Sequence, residues 1–400
     1  MVVSHMPTKQ PKQTSILNHL GNLISHPQVR AVALIFLAHG FIISSWFAQV
    51  PAVKTRLGLN DSELGNVLLG LPLGVFFMNI VAGWFLKKLG AWKSIALGYL
   101  GFAISTIFLF IANNYWGLFL NLILAGWTIG ILIVAMNTLA ARIEKTEGIV
   151  VMSSCHAGFS FGAMVGAVIS SFVIAKGFLP LHQIIIICVI FFILIFSHKN
   201  QYQSIPSEVN KKEEKTFGWP NRELLLLIGV GLAFIFTEGM VVDWSAVYIR
   251  DVLGSSPETA ALGYSACAFA MMLTRLGGDL LLPRFGRKKI LFSSSILSSL
   301  GVLIIVLGQS PLVGILGFAI IGVGIALGIP ILMSLASRAK GFSDGAGIGI
   351  FATFAFIGFI IEPPLVGWIA EQINLRWGLG VIGAISFLGA FLGMKIKDNG

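Results

Sequence analysis

Long apolar runs separated by short polar breaks fill this chain. The runs lie near 30–53, 62–86, 92–112, 116–141, 149–175, 180–197, 222–250, 258–282, 288–308, 311–336, 343–370 and 376–395. A helix crosses the hydrocarbon of a bilayer in about 20 apolar residues at about 1.5 Å each. The pattern therefore predicts an all-α polytopic membrane protein with twelve transmembrane helices, which we number spans one to twelve. A single polar stretch is long, 198–221 (HKNQYQSIPSEVNKKEEKTFGWPN), and it falls between spans six and seven. It divides the chain into an N-terminal segment (1–29), a six-helix bundle (30–197), a linker (198–221) and a second six-helix bundle (222–396).

The two bundles share positions. Trp46 with Ala48, then Leu64 and Gly65, recur 198 residues on as Trp244 with Ala246, then Leu262 and Gly263. Gly90, Gly126, Leu139, Ala140 and Arg142 recur 196 residues on as Gly286, Gly322, Leu335, Ala336 and Arg338. A single two-residue gap aligns both sets. Two pseudo-symmetric bundles in parallel repeat are the arrangement that, in a 6+6 transporter, puts a site near the membrane midplane between the halves.

Composition agrees with the bilayer as solvent. The chain is 56% hydrophobic and 11% charged, against about 25% charged residues in soluble domains. The formal charge of +10 is a topology signal rather than a nucleic-acid footprint, because its distribution follows the spans. Of the 27 Lys and Arg residues, Lys54, Arg56, Lys176, Arg250 and Arg376 fall on one side and Arg275 lies inside a span. All the others fall on the opposite side, which by the positive-inside rule is cytoplasmic together with both termini. Residues 1–29 show no apolar region followed by a small-residue cleavage site, so no removed signal peptide is expected. Ile16, Leu17, Leu20, Leu23 and Ile24 follow a helical period there, which fits a short amphipathic helix on the membrane surface or a solvated tail. Cys155, Cys188 and Cys267 are scattered through apolar stretches with no ligand spacing, so neither a disulfide nor a metal or other cofactor is expected.

Two short basic loops follow spans two and eight, Gly83-Trp-Phe-Leu-Lys-Lys-Leu-Gly90 and Asp279-Leu-Leu-Leu-Pro-Arg284-Phe-Gly286-Arg-Lys-Lys289. They resemble the G-x-x-x-D-R-x-G-R-K signature of the major facilitator superfamily, with Lys87 and Pro283 at its acidic position. Further stretches are 51–65 (PAVKTRLGLNDSELG), 134–137 (VAMN), 152–157 (MSSCHA), 238–248 (EGMVVDWSAVY) and 363–367 (PPLVG). Together they resemble the YbjJ-like bacterial branch of that superfamily, related to the fucose/proton symporter group, over residues 30–395. The resemblance implies the superfamily fold, transport, and a bacterial inner membrane. Where that branch often has an aspartate before Val-Ala-Met-Asn this chain has Ile133, and where it usually has glycine before Pro-Pro this chain has Glu362.

An ionisable side chain near the bilayer centre costs about 2.5–3.5 kcal/mol on insertion scales, so its placement is informative. His39 and Gln49 lie on span one, Asn79 on two, Asn121, Trp127 and Asn137 on four, and His156 on five. Glu238, Asp243 and Trp244 lie on seven, Arg275 and Asp279 on eight, and Glu362 on eleven. The interiors of spans three, six, nine and twelve carry no such group and are expected to face lipid. Glu238 is the first candidate for proton coupling, since a carboxyl that trades a proton need not sit in hydrocarbon as an anion; the bland alternative is a carboxyl neutralised by a neighbour. Asp243 lies five residues on, about 140° round the helix, toward the mouth opposite the basic side, where Glu362 also lies; both are further candidates for proton coupling and for the outer gate. His39 is a possible relay, or a histidine bonded to a backbone carbonyl. Gln49, Asn79, Asn121, Trp127, Asn137, His156 and Trp244 are expected around the cavity, with Asn137 and His156 within bonding reach of each other. Trp46 and Tyr248 read better as interfacial rings. Arg275 and Asp279, spaced i and i+4, read as a latch, and with Arg284 they form the expected inner gate. Gly158, Gly162 and Gly166, like Gly65, Gly70 and Gly74, read as surfaces for close helix approach.

These features favour a proton-coupled secondary transporter of a small polar organic solute, with sugar-like solutes among the candidates. The expected partners are the solute, protons and lipid, with no nucleic acid and a monomeric state. No GxxxxGK[ST] loop is present, so ATP is not the direct energy source. The alternatives are an exporter of apolar or cationic compounds and a membrane-embedded solute sensor without transport. No Ser/His/Asp set or HExxH pattern within the spans suggests an enzyme.

Overall fold

In hydrocarbon every backbone polar group needs an internal partner, so apolar runs of this length fold as helices. The structure, a computed structural model, describes residues 25–147, 149, 151–205, 219–342 and 344–396. The helix expected around Ile16–Ile24 lies outside the described residues. Span one is α1 (Pro27–Phe47), continued by α2 (Val50–Leu57). Next come α3 (Asp61–Leu68), α4 (Gly70–Ile111), α5 (Tyr115–Glu147), α6 (Met152–Ala175), α7 (Pro180–Ser197) and the short α8 (Lys199–Ser204). The second half holds α9 (Arg222–Val247) with a π-helical turn (Tyr248–Val252), then α10 (Pro257–Ala260), α11 (Leu262–Leu276) and α12 (Gly278–Phe285). It ends with α13 (Arg287–Leu307), α14 (Pro311–Ile325), α15 (Gly328–Ala336), α16 (Asp344–Gln372) and α17 (Leu375–Met394).

Ten helical stretches among the described residues are long and apolar enough to cross a membrane, against twelve expected. Two local features account for the difference. Spans two and three run together as one 51-residue stretch, because the turn between them is a single residue, Gly90 at φ 76° and ψ 167°. Span eight is cut at Gly277 into α11 and α12, of 15 and 8 residues.

The repeat read from the sequence reappears in the backbone. Gly286 has φ 75° and ψ 157°, close to Gly90, and Gly58 and Gly254 have φ 65° and 67°. Each pair is 196 residues apart, and a side chain at any of the four would be strained in this left-handed region. Pseudo-equivalent helix ends are also closed alike. Arg56 donates to the carbonyls of Phe110 (2.7 Å) and Ala112 (2.9 Å). Arg376 donates to those of Val306 (2.5 Å) and Gly308 (2.8 Å), and a cation at a helix C-terminus also complements its dipole.

Within the first half α1 packs on α6 and α4 on α5; within the second, α9 packs on α16 and α17, and α11 on α14. The approach of α1 and α6 depends on small residues. A Cβ added at Gly162 or Gly166 would lie 2.2 Å or 2.4 Å from the carbonyl oxygen of Leu37 or Phe41, whereas Gly158 has room. Exposed apolar side chains, among them Ile104, Phe108, Ile193, Leu303, Leu307, Leu388 and Phe391, cover spans three, six, nine and twelve. The linker stretch begins with packed structure: Tyr202 is buried, donates to the Ala31 carbonyl at 2.9 Å and stacks on Trp92.

The halves meet where α6 lies against α10 and α11, and where α3 lies against α16. Backbone touches backbone at the second seam, since a Cβ on Gly65 would be 2.3 Å from the Pro363 carbonyl oxygen. These seams run from the end that holds Lys54, where α2, the π turn and the end of α16 gather. The helical segments holding Lys88, Arg142 and Arg284 lie at the other, basic end.

Candidate functional site

Helix α9 positions the two acids expected to carry chemistry, and it turns them toward different neighbours. Glu238 borders a small cavity between α6, α9 and α11, together with Phe159, Ser160, Tyr264, Cys267 and Met271. Arg275, from α11, reaches into the same region. Its Nη1 donates to Ser160 Oγ of the other half at 2.9 Å and its Nε to the Ala326 carbonyl at 3.3 Å. The Ser160 hydroxyl donates in turn to the His156 carbonyl at 3.2 Å. Arg275 is close enough to act electrostatically on Glu238, His156, Tyr264 and Cys267. Among the described side chains, however, no carboxylate lies within ion-pair distance of it.

Two histidines continue this group across α1 and α6. The His156 ring meets Phe36 edge-on at 5.1 Å. The His39 ring lies 5.5 Å from Phe102 and 5.2 Å from Phe159, and its buried Nδ1 has no hydrogen-bond partner. Among the described residues the expected bond from His39 to a backbone carbonyl is not seen, and aromatic rings flank the imidazole.

Asp243 faces Glu362 of α16 instead. Glu362 is fully buried, its carboxyl lies against Gly239 of α9, and the Trp244 indole is its other polar neighbour. Neither Glu362 oxygen nor Trp244 Nε1 has a partner at hydrogen-bonding geometry. Two anions in this setting would repel, with no cation beside them among the described residues, and a proton on one carboxyl removes that cost.

Sequence reasoning missed a third cluster. At the Lys54 end, Nζ of Lys54 lies 2.5 Å from Asp61 in its own half and 3.1 Å from Asp251 in the other. Arg250 Nε holds the second Asp251 oxygen at 2.6 Å, and Glu371 accepts from the Asp61 amide at 3.2 Å. Ser171 donates to the Glu258 carbonyl across the same end at 2.7 Å. A signal was present, since the 196-residue displacement pairs Lys54 with Arg250 beside Asp251. At the basic end, by contrast, Gln28 donates to Ser204 at 2.9 Å and Asn221 to the Lys340 carbonyl at 2.8 Å, and neither bond crosses the seam.

The remaining candidates divide. Gln49 is buried with an unpartnered Nε2, between α1 and α2. Asn137 donates to Ile133 of its own helix at 2.8 Å, not to His156, and Asn121 likewise donates to Gly117. Each amide is satisfied within one turn, which removes the expected Asn137–His156 bond. Asn79 and Trp127 are exposed, while Trp46 and Trp244 are buried. Tyr248 is also buried and donates to the Ile305 carbonyl at 2.8 Å, so neither it nor Trp46 is an interfacial ring. The Asp279 side chain, and with it the latch expected with Arg275, lies outside the described residues. Arg284 is exposed in the last turn of α12 and packs over Phe285 of the same helix.

Comparison with known proteins agrees with this architecture. The chain is 30% identical to an uncharacterised MFS-type transporter of Yersinia pestis, over 87% of this chain and 90% of that one. Its fold is similar to a crystal structure of a variant of the nucleoside transporter NupG, with TM-score 0.75 and 14% identity over 92% of this chain and 99% of the other. It is also similar to the crystal structure of a D-xylose-proton symporter, with TM-score 0.71 and 15% identity over 92% and 97%. The family model of the Major Facilitator Superfamily matches residues 32–343 and 284–397, and with twofold bundles meeting around buried charge, the chain belongs to the major facilitator superfamily of membrane transporters.

Proposed function

We propose that this transporter moves a small polar organic solute of sugar-like size, driven by the proton gradient through Glu238. The two halves, 30–197 and 222–396, would rock about the site by alternating access, as two six-helix bundles with both termini in the cytoplasm of a bacterial inner membrane. The observation that carries the reading is the position of Glu238 on a cavity wall where the halves meet, beside the bond from Arg275 to Ser160. A titratable group at the moving contact can link its proton to the state of the gate. The Asp243–Glu362 pair supplies a second proton store nearer the Lys54 end, which in this reading is the outer gate, closed here. The similarity of fold to one proton symporter and one nucleoside transporter is in keeping with a polar cargo.

The test is uptake of radiolabelled sugars and sugar acids into proteoliposomes under an imposed proton gradient. Wild type is expected to accumulate its solute, and Glu238→Gln to exchange it without accumulation. Uphill uptake by Glu238→Gln would remove the coupling role.

A further inference from the structure

A cation inside a membrane protein needs an opposite charge within reach, and the groups around Arg275 define what can supply it. Facing it are Glu238 from α9, His156 and Ser160 from α6, and Tyr264 and Cys267 from its own helix, with His39 behind His156. Glu238 is the one anion of that described set, and it stands beyond ion-pair distance. Asp243 and Glu362 are turned toward each other. A guanidinium presents five N–H donors in a planar fork; two of its three nitrogens each make a bond, to Ser160 and Ala326, and among the described side chains the other donors meet no partner. That geometry matches a carboxylate bound through two oxygens better than a hydroxyl or an amide.

We infer that the solute carries a carboxylate held by Arg275, and that Glu238 takes up one proton as the solute binds. The inference rests on the transport reading above and narrows its cargo to organic acids. The charge balance is simple. With the cavity empty, the Glu238 carboxylate offsets Arg275 at longer range. With the solute bound, the solute's carboxylate does so at contact distance, and Glu238 takes up one proton supplied by the acid form of the bulk buffer and relayed through water, so that no hydroxide is left in the site. One anion and one proton are then carried together, and the loaded site has the same net charge as the empty one. Ser160 fixes the guanidinium from the opposite half, so the ligand-binding group is tied to the contact that must break when the halves move.

The experiment is binding to the purified full chain, by thermal shift and titration calorimetry, of matched acids and amides: gluconate, glucuronate, succinate and benzoate, each against its own amide. An acid is expected to bind at least about tenfold more tightly than its amide, as befits a charge-paired contact. Calorimetry in buffers of different ionisation enthalpy should show uptake of one proton per solute. Arg275→Gln should erase the preference for the acid, Arg275→Lys should keep part of it, and Glu238→Gln should bind the acid with no proton uptake. Ser160→Ala, a smaller change, should weaken the acid more than the amide even if Arg275→Gln fails to fold. A protein that does not distinguish acids from amides, or whose preference survives Arg275→Gln, overturns the inference. Acid-selective binding with proton uptake, found together with no gradient-driven uptake in vesicles, would sink the transport reading and leave the carboxylate site standing.

Discussion

Replacing Lys54 by Gln should open the end of the molecule that Lys54 now closes. The substitution removes two charged contacts, to Asp61 and to Asp251, and leaves a neutral polar side chain one atom shorter. Lys54 keeps 16% of its side-chain surface and its partners 23% and 30%, so each contact is partly screened and contributes about 0.5–1 kcal/mol. Only the bond to Asp251 crosses between the halves; the bond to Asp61 persists in either form and cancels from the ratio. The loss that bears on opening is therefore about 0.5–1 kcal/mol, where about 1.4 kcal/mol corresponds to a tenfold change in an equilibrium constant. The ratio of open to closed forms at this end should therefore rise about two- to fivefold. Spin labels on cysteines at Asn113 and Gln309 would read it, because both are exposed in pseudo-equivalent loops at the Lys54 end, and the three native cysteines are buried. Double electron–electron resonance should show a longer-distance population that grows in Lys54→Gln and stays small in Lys54→Arg. Raising salt from about 0.15 M to about 1 M shortens the screening length from about 8 Å to about 3 Å, so salt should move wild type toward the Lys54→Gln distribution and leave that variant unchanged. Equal distance distributions in wild type and Lys54→Gln, at both salt concentrations, would refute the latch.

Other substitutions test the packing and the linker. Gly367→Ala puts a Cβ 2.5 Å from the Asp61 carbonyl oxygen across the halves, and should lengthen the same label distance. Gly162→Ala collides within one half instead, so it should lower thermal stability by about 1–3 kcal/mol without opening the Lys54 end. Tyr202→Phe removes the bond to Ala31 and should cost about 1 kcal/mol in thermal unfolding while transport persists. Glu362→Gln replaces a buried carboxyl that has no hydrogen-bond partner, and thermal unfolding is expected to move up; a fall of several degrees would mean that its contacts are favourable as they stand.

Spans and repeat were legible because lipid imposes one rule on every crossing. Apolar length sets the helix, and the glycines at 58, 90, 254 and 286 mark turns that only glycine takes easily. The count was less legible, since the single-residue turn at Gly90 and the break at Gly277 depend on packing around them. At the site, helical spacing separated Glu238 from Asp243, but it could not reveal that Asp243 meets Glu362 or that Arg275 reaches Ser160. Those partners come from other helices, more than a hundred residues away along the chain. The asparagines misled for a physical reason, as Asn121 and Asn137 each bond to a carbonyl one turn back, an option that competes with any distant partner. Lys54 counted only as one of the few basic residues on its side of the membrane, and its ion pair to Asp251 depends on α2 and the π turn meeting across the seam.

The arginines that close the ends of α4 and α13 have a bearing on how such a molecule moves. Carbonyls at matching positions are bound in each half, but Arg56 comes from α2 and Arg376 from α17, so the acceptors follow the repeat and the donors do not. Neither bond crosses the seam. When the bundles part at that face, side chains let go of side chains while these peptide groups keep their partners. Each bundle thus presents a finished edge to incoming water, and the swing between states need not begin with local unfolding.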